Sequence, residues 1–546
     1  MRSCFLLLLA AAFALPASAA KTTVCSITVN SADEREAFRS ALPADRYDFV
    51  ELVEHGRPDW LASACTRGVQ CDVLVVSGHF AGTEFYTSRF DRSESLPVEE
   101  MERAVCSQSC PGVFSKLKEV YLFGCDTLKP DPVRTATPEV IRGYVRSGST
   151  KAEAERAARE LSERHGESSR ALMRQLFADV PVIYGFATFA PFGRTAGPML
   201  ARHFESGYGV EIGSGTVSPT LLARFSNTGM VVTEGRRASD AEAGARRDAC
   251  RYYDDRLTTT QKLRSVHDVL SRDPAEVRMA FPRIEKFLAS PGLTADPAFA
   301  LALGDLARDR AVAGRFLALT RATEDPQLRL RMIALARNVG WLSAAEQSAE
   351  QARLVRDVLT AGDMGFDEVD LVCTLGRERA VDVAQVGVKP TSTLGSRPAP
   401  AAALACLGSR ESRERMLRTL ASADENDVRI AQAYFRHRPI ATGDELVTAT
   451  RAVARMKPSA AQVRAIETLA RHHLSDRQVI DELTRLYTRT TSANIQRAVA
   501  EAFLRADAKL LADPELVSVL RRHRVRAPDG ARDLVDVLLE RLQLPA

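Results

Sequence analysis

The chain has 546 residues, of which 45% are hydrophobic and 26% charged. These globular proportions exclude a disordered, collagenous or mucin-like polymer. Lys+Arg 74 against Asp+Glu 70 leaves +4, and aromatics are 6%, so neither a basic footprint nor a stacking platform for nucleic acid is expected. At roughly 150 residues per domain, the length suggests about three or four domain equivalents.

Residues 1–20 read as a secretory signal peptide. Arg2 is followed by the apolar run Phe5–Leu15 and then Pro16-Ala17-Ser18-Ala19-Ala20, the small-residue end of such leaders. The run is too short for a bilayer, which needs about twenty apolar residues, and no later span is expected. Export, to the periplasm or out of the cell, implies an oxidising compartment. Nine cysteines follow the leader, an odd number that leaves at least one free. Cys25, Cys65, Cys71, Cys106, Cys110 and Cys250 are disulfide candidates. The close pairs Cys65/Cys71 and Cys106/Cys110 are the simplest staples, but spacing does not fix the connectivity.

From Lys21 to about Gly235, short β-rich runs alternate with helical stretches. Thr23–Asn30 and Tyr47–Val53 read as strands, with Ser31-Ala32-Asp33-Glu34 between them as a capping box for a short helix. Asp59–Arg67 reads as helix. Cys71–Val76, Glu119–Phe123 and Val180–Phe186 are apolar on both faces, the signature of a mostly parallel sheet flanked by helices. Lys151–Arg170 is charged with i, i+4 pairs, the pattern of a solvated helix face.

Residues 236–546 lose the strand signal. Asp325–Gly340, Asp427–Arg438 and Ser492–Ala506 each begin at a polar cap and carry small apolar residues at i, i+3, i+4. Stacked antiparallel helix pairs are expected, an all-α solenoid similar to HEAT-type repeats. Val386–Pro400 is rich in Pro, Gly, Ser and Thr and reads as a break within it.

Chemistry collects at two strand ends. Val73–Val76 runs into Ser77-Gly78-His79, and Val120–Phe123 runs into Gly124-Cys125-Asp126. In an open parallel sheet, function gathers at the carboxyl ends of the strands. If these strands are neighbours, a thiol meets an imidazole, the arrangement nucleophilic catalysis needs. Gly78 and Gly124 allow close backbone approach. A zinc set of Cys106, Cys110, Cys125 and His79 has suitable ligand types but loose spacing, and neither metal nor cofactor is expected. His165, His203 and His267 read as packing or surface residues.

His first, then Cys 46 residues later, each following a buried strand, resembles the caspase-like cysteine peptidases, most nearly the bacterial CHAT domains. The strand Ala178–Phe189 and the following Ala196-Gly197-Pro198-Met199 resemble that group too. The likeness covers roughly residues 22–215, and it implies that Lys151–Arg170, between the Cys strand and the next, is an exposed linker cut during activation. It implies His79 as general base and acid and Cys125 as nucleophile. The Phe80 and Cys125 backbone N–H groups would serve as oxyanion hole. Gly78, Asp126 and Tyr184-Gly185-Phe186-Ala187-Thr188 would line the substrate pocket. It departs from the family at Phe80, where Gly is usual, and in having its acid, Asp126, after the Cys. The function expected is an exported cysteine endopeptidase acting on a protein or peptide substrate, with a protein partner on the helical repeats. The alternative is a catalytically silent caspase-fold scaffold whose repeats bind partners.

Overall fold

The computed structural model describes residues 21–52, 61–87, 94–107, 111–132, 136–240, 243–291, 293, 296–387, 397–440, 442–525 and 533–542. The expected leader, Cys110 and most of the break at 386–400 lie outside these residues.

The chain opens with β1 (Thr22–Thr28), α1 (Asp33–Ala41) and β2 (Tyr47–Glu51), followed by α2 (Ala62–Thr66) and β3 (Val73–Ser77). Three short strands then fold on one another: β4 (His79–Phe80), β5 (Glu84–Tyr86) and β6 (Ser95–Pro97). Helices α3 (Val98–Cys106) and α4 (Pro111–Ser115) lead to β7 (Glu119–Phe123). Helices α5 (Ala136–Arg146), α6 (Lys151–His165) and α7 (Ser169–Leu176) precede β8 (Val182–Phe186). Helices α8 (Gly193–Glu205) and α9 (Pro219–Arg224) precede β9 (Met230–Thr233).

The main sheet has the order β2-β1-β3-β7-β8-β9. All its pairs are parallel except β8–β9. Every residue of β3, β7 and β8 is buried, because apolar clusters cover both faces. Leu74, Val76, Val120, Leu122 and Ile183 pack toward α3 and α7. Val73, Val75, Tyr121, Phe123, Tyr184 and Phe186 pack toward α1 and α8 with Phe38 and Leu200. The parallel sheet flanked by helices is the arrangement expected. The second, antiparallel sheet β4-β5-β6 was not foreseen.

Two compact units divide the chain, one ending at Val312 and one spanning Ala313–Ala546. The boundary expected at 235 therefore falls inside the first unit. Four further helices belong there: α10 (Ala243–Tyr253), α11 (Thr259–Leu270), α12 (Pro274–Leu288) and α13 (Pro297–Arg308). Long-range bonds hold the segment in place. The Cys106–Cys250 disulfide joins α3 to α10. Buried Arg278 pairs with Glu139 at 2.9 Å, and Arg283 with Glu102 at 3.0 Å. Helix α6 is capped by Thr150 and buries Ala154, Ala158 and Leu161, so it is not the exposed linker considered above. Arg236, itself buried, donates to Glu163 O and Arg164 O at the end of α6.

The second unit is two rows of stacked helices. Phe366–Arg377, Glu425–His437, Ala460–Leu469, Ala493–Leu504 and Leu534–Arg541 each pack on the next in one row. Arg410–Thr419, Gly443–Ala454, Arg477–Arg489 and Pro514–Arg522 form the other. The three sequence segments singled out as alike lie in the helices Pro326–Val339, Glu425–His437 and Ala493–Leu504, starting at Asp325, Asp424 and Ser492 caps. Buried Gln462 and Gln496 reach back to carbonyls that close earlier helices, Val453 O and Tyr487 O. A disulfide, Cys373–Cys406, joins the first row to the helix Pro398–Cys406. Among the described residues, no helix is long and apolar enough to cross a membrane.

Candidate active site

Strands β3 and β7 are hydrogen-bonded neighbours with Ser77 opposite Phe123. His79 and Cys125 each stand two residues beyond that last pair, so the register brings both to one edge of the sheet. Gly78 N–H donates to Phe123 O at 3.1 Å, tying the two exits together. A Cβ on Gly124 would lie 2.9 Å from Gly78 O and 2.9 Å from Phe80 Cβ. Gly124 therefore lets the two loops touch.

Cys125 is half-buried and carries the one free thiol among the described residues. Asp126 follows in the left-handed region, φ 57, which a short polar residue tolerates better than most. That turns the chain sharply just after the cysteine. The turn is pinned to the end of β8: Asp126 N–H donates to Thr188 O at 2.7 Å, and Leu128 N–H to Phe186 O at 2.9 Å. The Thr127 hydroxyl accepts from Phe186 N–H at 3.0 Å and donates to Gly124 O at 3.1 Å. Ala190 N–H donates to Cys125 Sγ at 3.4 Å, which ties the loop after β8 to the thiol.

His79 is half-buried and begins β4, opposite Tyr86 of β5. Its ring lies 5.4 Å from that of Tyr86 and 6.5 Å from that of Phe192, the latter edge-on. Below it, the Ser77 hydroxyl is 2.8 Å from Glu34 Oε2 and 2.9 Å from Ser31 O. Glu34 is buried, and that burial raises its pKa against the pull of its hydrogen bonds. The expected capping box is thus not formed: Ala32 is the N-cap of α1, without a side-chain cap bond, and Glu34 turns inward.

Several expected site residues need correction. Tyr184, Gly185 and Phe186 are buried and cannot line a pocket. Tyr184 stacks on Tyr121 at 4.9 Å and its hydroxyl accepts from Ser218 N–H at 2.7 Å. Burial pushes its pKa up to about 12. Ala187 is half-buried and Thr188 exposed, so these two stay at the rim. The Phe80 side chain turns into the core against Phe85, 4.8 Å away, and does not crowd the site. Gly78 is buried under the His79 turn. Asp126 is half-exposed, with Lys129 3.9 Å away.

The disulfides also differ from the close pairs. Cys25 is bonded to Cys71 and Cys106 to Cys250. The register Val24↔Val73 brings Cys71 beside β1, which decides the first pairing. Cys65 is disulfide-bonded as well. With Cys106 oxidised, the zinc set lacks a ligand, and among the described residues no cluster of three His, Cys, Asp or Glu could hold a metal ion.

Sequence reasoning missed Thr127, Ala190, Phe189, Phe192 and Tyr86. The signal available was the pair of aromatic residues in the short loop Thr188-Phe189-Ala190-Pro191-Phe192-Gly193, where a solvent-facing turn has no packing use for them. Comparison with protein-family models, curated proteins and solved structures finds no match for the chain.

Proposed function

We propose that the chain is an exported cysteine endopeptidase with a caspase-like α/β domain of the CHAT type, cutting through a His79/Cys125 dyad. The observation that carries this reading is the placement of the free thiol and the imidazole, each two residues past a paired position of adjacent parallel strands. Function in such sheets gathers at this edge. The other described cysteines are oxidised, so the one kept reduced is the one at the same sheet edge as His79. Three disulfide pairs and the lack of a membrane-spanning helix among the described residues are compatible with an exported protein.

In this mechanism His79 takes the Cys125 proton and the thiolate adds to the scissile carbonyl carbon. The oxyanion is held by the Cys125 and Phe80 N–H groups. The Gly78 and Asp126 N–H groups are already committed to Phe123 O and Thr188 O. As the C–N bond breaks, His79 returns the proton to the leaving amine. Water, deprotonated by His79, then hydrolyses the thioester and restores the thiol. Two half-reactions of this kind need neither metal nor cofactor.

The test is cleavage of a mixed peptide library, read by mass spectrometry, with wild type and Cys125→Ala. Loss of all cuts in the variant, with its circular dichroism unchanged, is the expected result. Cuts persisting at the wild-type rate in Cys125→Ala remove the reading.

A further inference from the structure

Large apolar side chains left in water are informative when they gather at a site rather than scatter. Among the described residues, Val145, Phe189, Phe192, Val210, Val217, Leu301, Leu534 and Val537 are exposed large hydrophobics. Only two are aromatic, Phe189 at 81% and Phe192 at 64% exposure. They sit three residues apart in the loop that touches both members of the dyad. Ala190, between them, donates its N–H to Cys125 Sγ, and the Phe192 ring faces His79.

The loop does not need these rings for its own fold. Its anchors are backbone bonds: Ala187 N–H to Gly229 O, Thr188 O from Asp126 N–H, and the Phe192 carbonyl accepting from Thr195 and Ala196 N–H at the start of α8. Gly193 lets that helix start against Ser31 and Asp33, because a Cβ there would collide with the Ser31 hydroxyl. Neither ring enters the core clusters of the domain. The Arg194 guanidinium lies over the Phe192 ring at 5.7 Å, giving the apolar surface a polar edge. An aromatic side chain held on the wall of a reaction site gains apolar area when a ligand side chain covers it.

We infer that Phe189 and Phe192 form the docking surface for a large apolar side chain of the substrate, on a residue adjoining the bond to be cut. This rests on the reading of Cys125 as nucleophile and adds the substrate class: chains with an aromatic or large aliphatic residue next to the scissile bond. Charged residues at that position are disfavoured, because docking there would strip their water.

The experiment compares alkylation of Cys125 in the full chain by iodoacetamide and by N-benzyl iodoacetamide. Each rate is divided by that for glutathione, which removes the intrinsic reactivity of the reagents. The expected result is a benzyl preference of about tenfold in wild type, equivalent to about 1.4 kcal/mol, falling to the glutathione value in Phe189→Ala/Phe192→Ala. Both side chains are exposed, so the variant is expected to melt as wild type does. A wild-type ratio equal to that of glutathione overturns the proposal, and so does a ratio the double substitution leaves unchanged. If the double variant changes only the sedimentation of the protein, the face joins copies of this chain, and the proposal is again refuted. A Cys125 inert to both reagents sinks the catalytic reading instead. Saturation transfer from N-acetyl-phenylalaninamide then decides the surface: signal in wild type that vanishes in the double variant upholds it, and no signal in wild type removes it.

Discussion

Adding one methyl group at Gly124 separates the catalytic geometry from the stability of the fold. In Gly124→Ala the new Cβ would stand 2.9 Å from Gly78 O, 2.9 Å from Phe80 Cβ and 3.2 Å from Thr127 Cγ2. Comfortable carbon contacts begin at roughly 3.5 Å, so the His79 turn and the Cys125 turn must part by about 0.6 Å. The nearest atoms are backbone and a Cβ, which cannot swing aside as the end of a long side chain can. Overpacking of this kind costs about 1–3 kcal/mol. The displacement falls between the two groups that share a proton in the proposed mechanism, where a misplacement of about 1 Å costs on the order of a hundredfold in rate. Gly143→Ala is the control. Gly143 lies within α5, and nothing comes within 4 Å of the Cβ it would gain, so the same methyl stabilises by roughly 0.5–1 kcal/mol. The assay is the iodoacetamide rate of Cys125 against pH, alongside urea unfolding. A loss of about tenfold or more at neutral pH is expected for Gly124→Ala, with none for Gly143→Ala. Gly124→Ala with a wild-type rate and midpoint would falsify the contact between the two loops.

Three further outcomes test the frame around the site. Arg278 and Glu139 form a buried pair, so Glu139→Leu, which leaves the guanidinium buried without its carboxylate, is expected to cost about 3–5 kcal/mol. Arg278→Met/Glu139→Leu should recover most of that loss in urea unfolding, and a double variant equal to the sum of the singles refutes the pairing. Replacing the Cys106–Cys250 bridge, 144 residues apart, by two alanines should remove about 5 kcal/mol in the chain-entropy description. It should also expose residues 243–308 to proteolysis before the sheet, and equal protection of both would contradict the bridge's anchoring role. Glu34 has its pKa raised in the folded state, chiefly by burial. The stability it contributes is present below its unfolded pKa and lost as pH rises through the folded value. Glu34→Gln keeps an uncharged acceptor for the Ser77 hydroxyl, so it should stabilise the protein at pH 7 and flatten the pH dependence of melting above about pH 4; a variant with the wild-type slope refutes this.

The strands were legible where burial on both faces forced continuous apolar runs, as in Val73–Val76 and Val120–Phe123. Strands β4, β5 and β6 were not, because two or three residues cannot show a period of two. The Ser31–Glu34 pattern satisfied the local rule for a capping box, yet the Ser77 hydroxyl offered Glu34 a buried partner from 43 residues away. A tertiary bond won over a local one. The division into compact units at residue 312 left no mark in the sequence, because helical periodicity looks alike on both sides of it. Cys106–Cys250, Arg278–Glu139 and Arg283–Glu102 span more than a hundred residues each, and no local pattern reports them. The two candidate residues, His79 and Cys125, stood out because each follows a strand whose end is marked by glycine. Tyr184 and Phe186 were placed in the pocket by the family likeness, although the strand pattern already marked Val180–Phe186 as apolar on both faces.

The same geometry accounts for why one thiol among the described residues stays reduced. The Cys25–Cys71 bridge lies toward the amino ends of the strands, since Cys71 precedes β3 and Cys25 sits one step past the pair Val24↔Val73. Cys125 lies beyond the carboxyl end, past the pair Ser77↔Phe123. Six residues separate Cys71 from Ser77, about 20 Å of strand at roughly 3.3 Å per residue. A disulfide needs Cα atoms within about 7 Å, so this bridge cannot exchange onto Cys125 while the sheet is intact. Cys106 and Cys250 are held by the packing of α3 on α10, on the face opposite α8 and the Phe192 loop. An oxidising compartment can therefore close the structural bridges and leave the strand-end thiol untouched. Under non-reducing conditions native protein should give one fast-alkylating cysteine, Cys125. A mixed disulfide linking Cys125 to Cys71 or Cys250 in native material would show that the sheet opens far more readily than its burial allows.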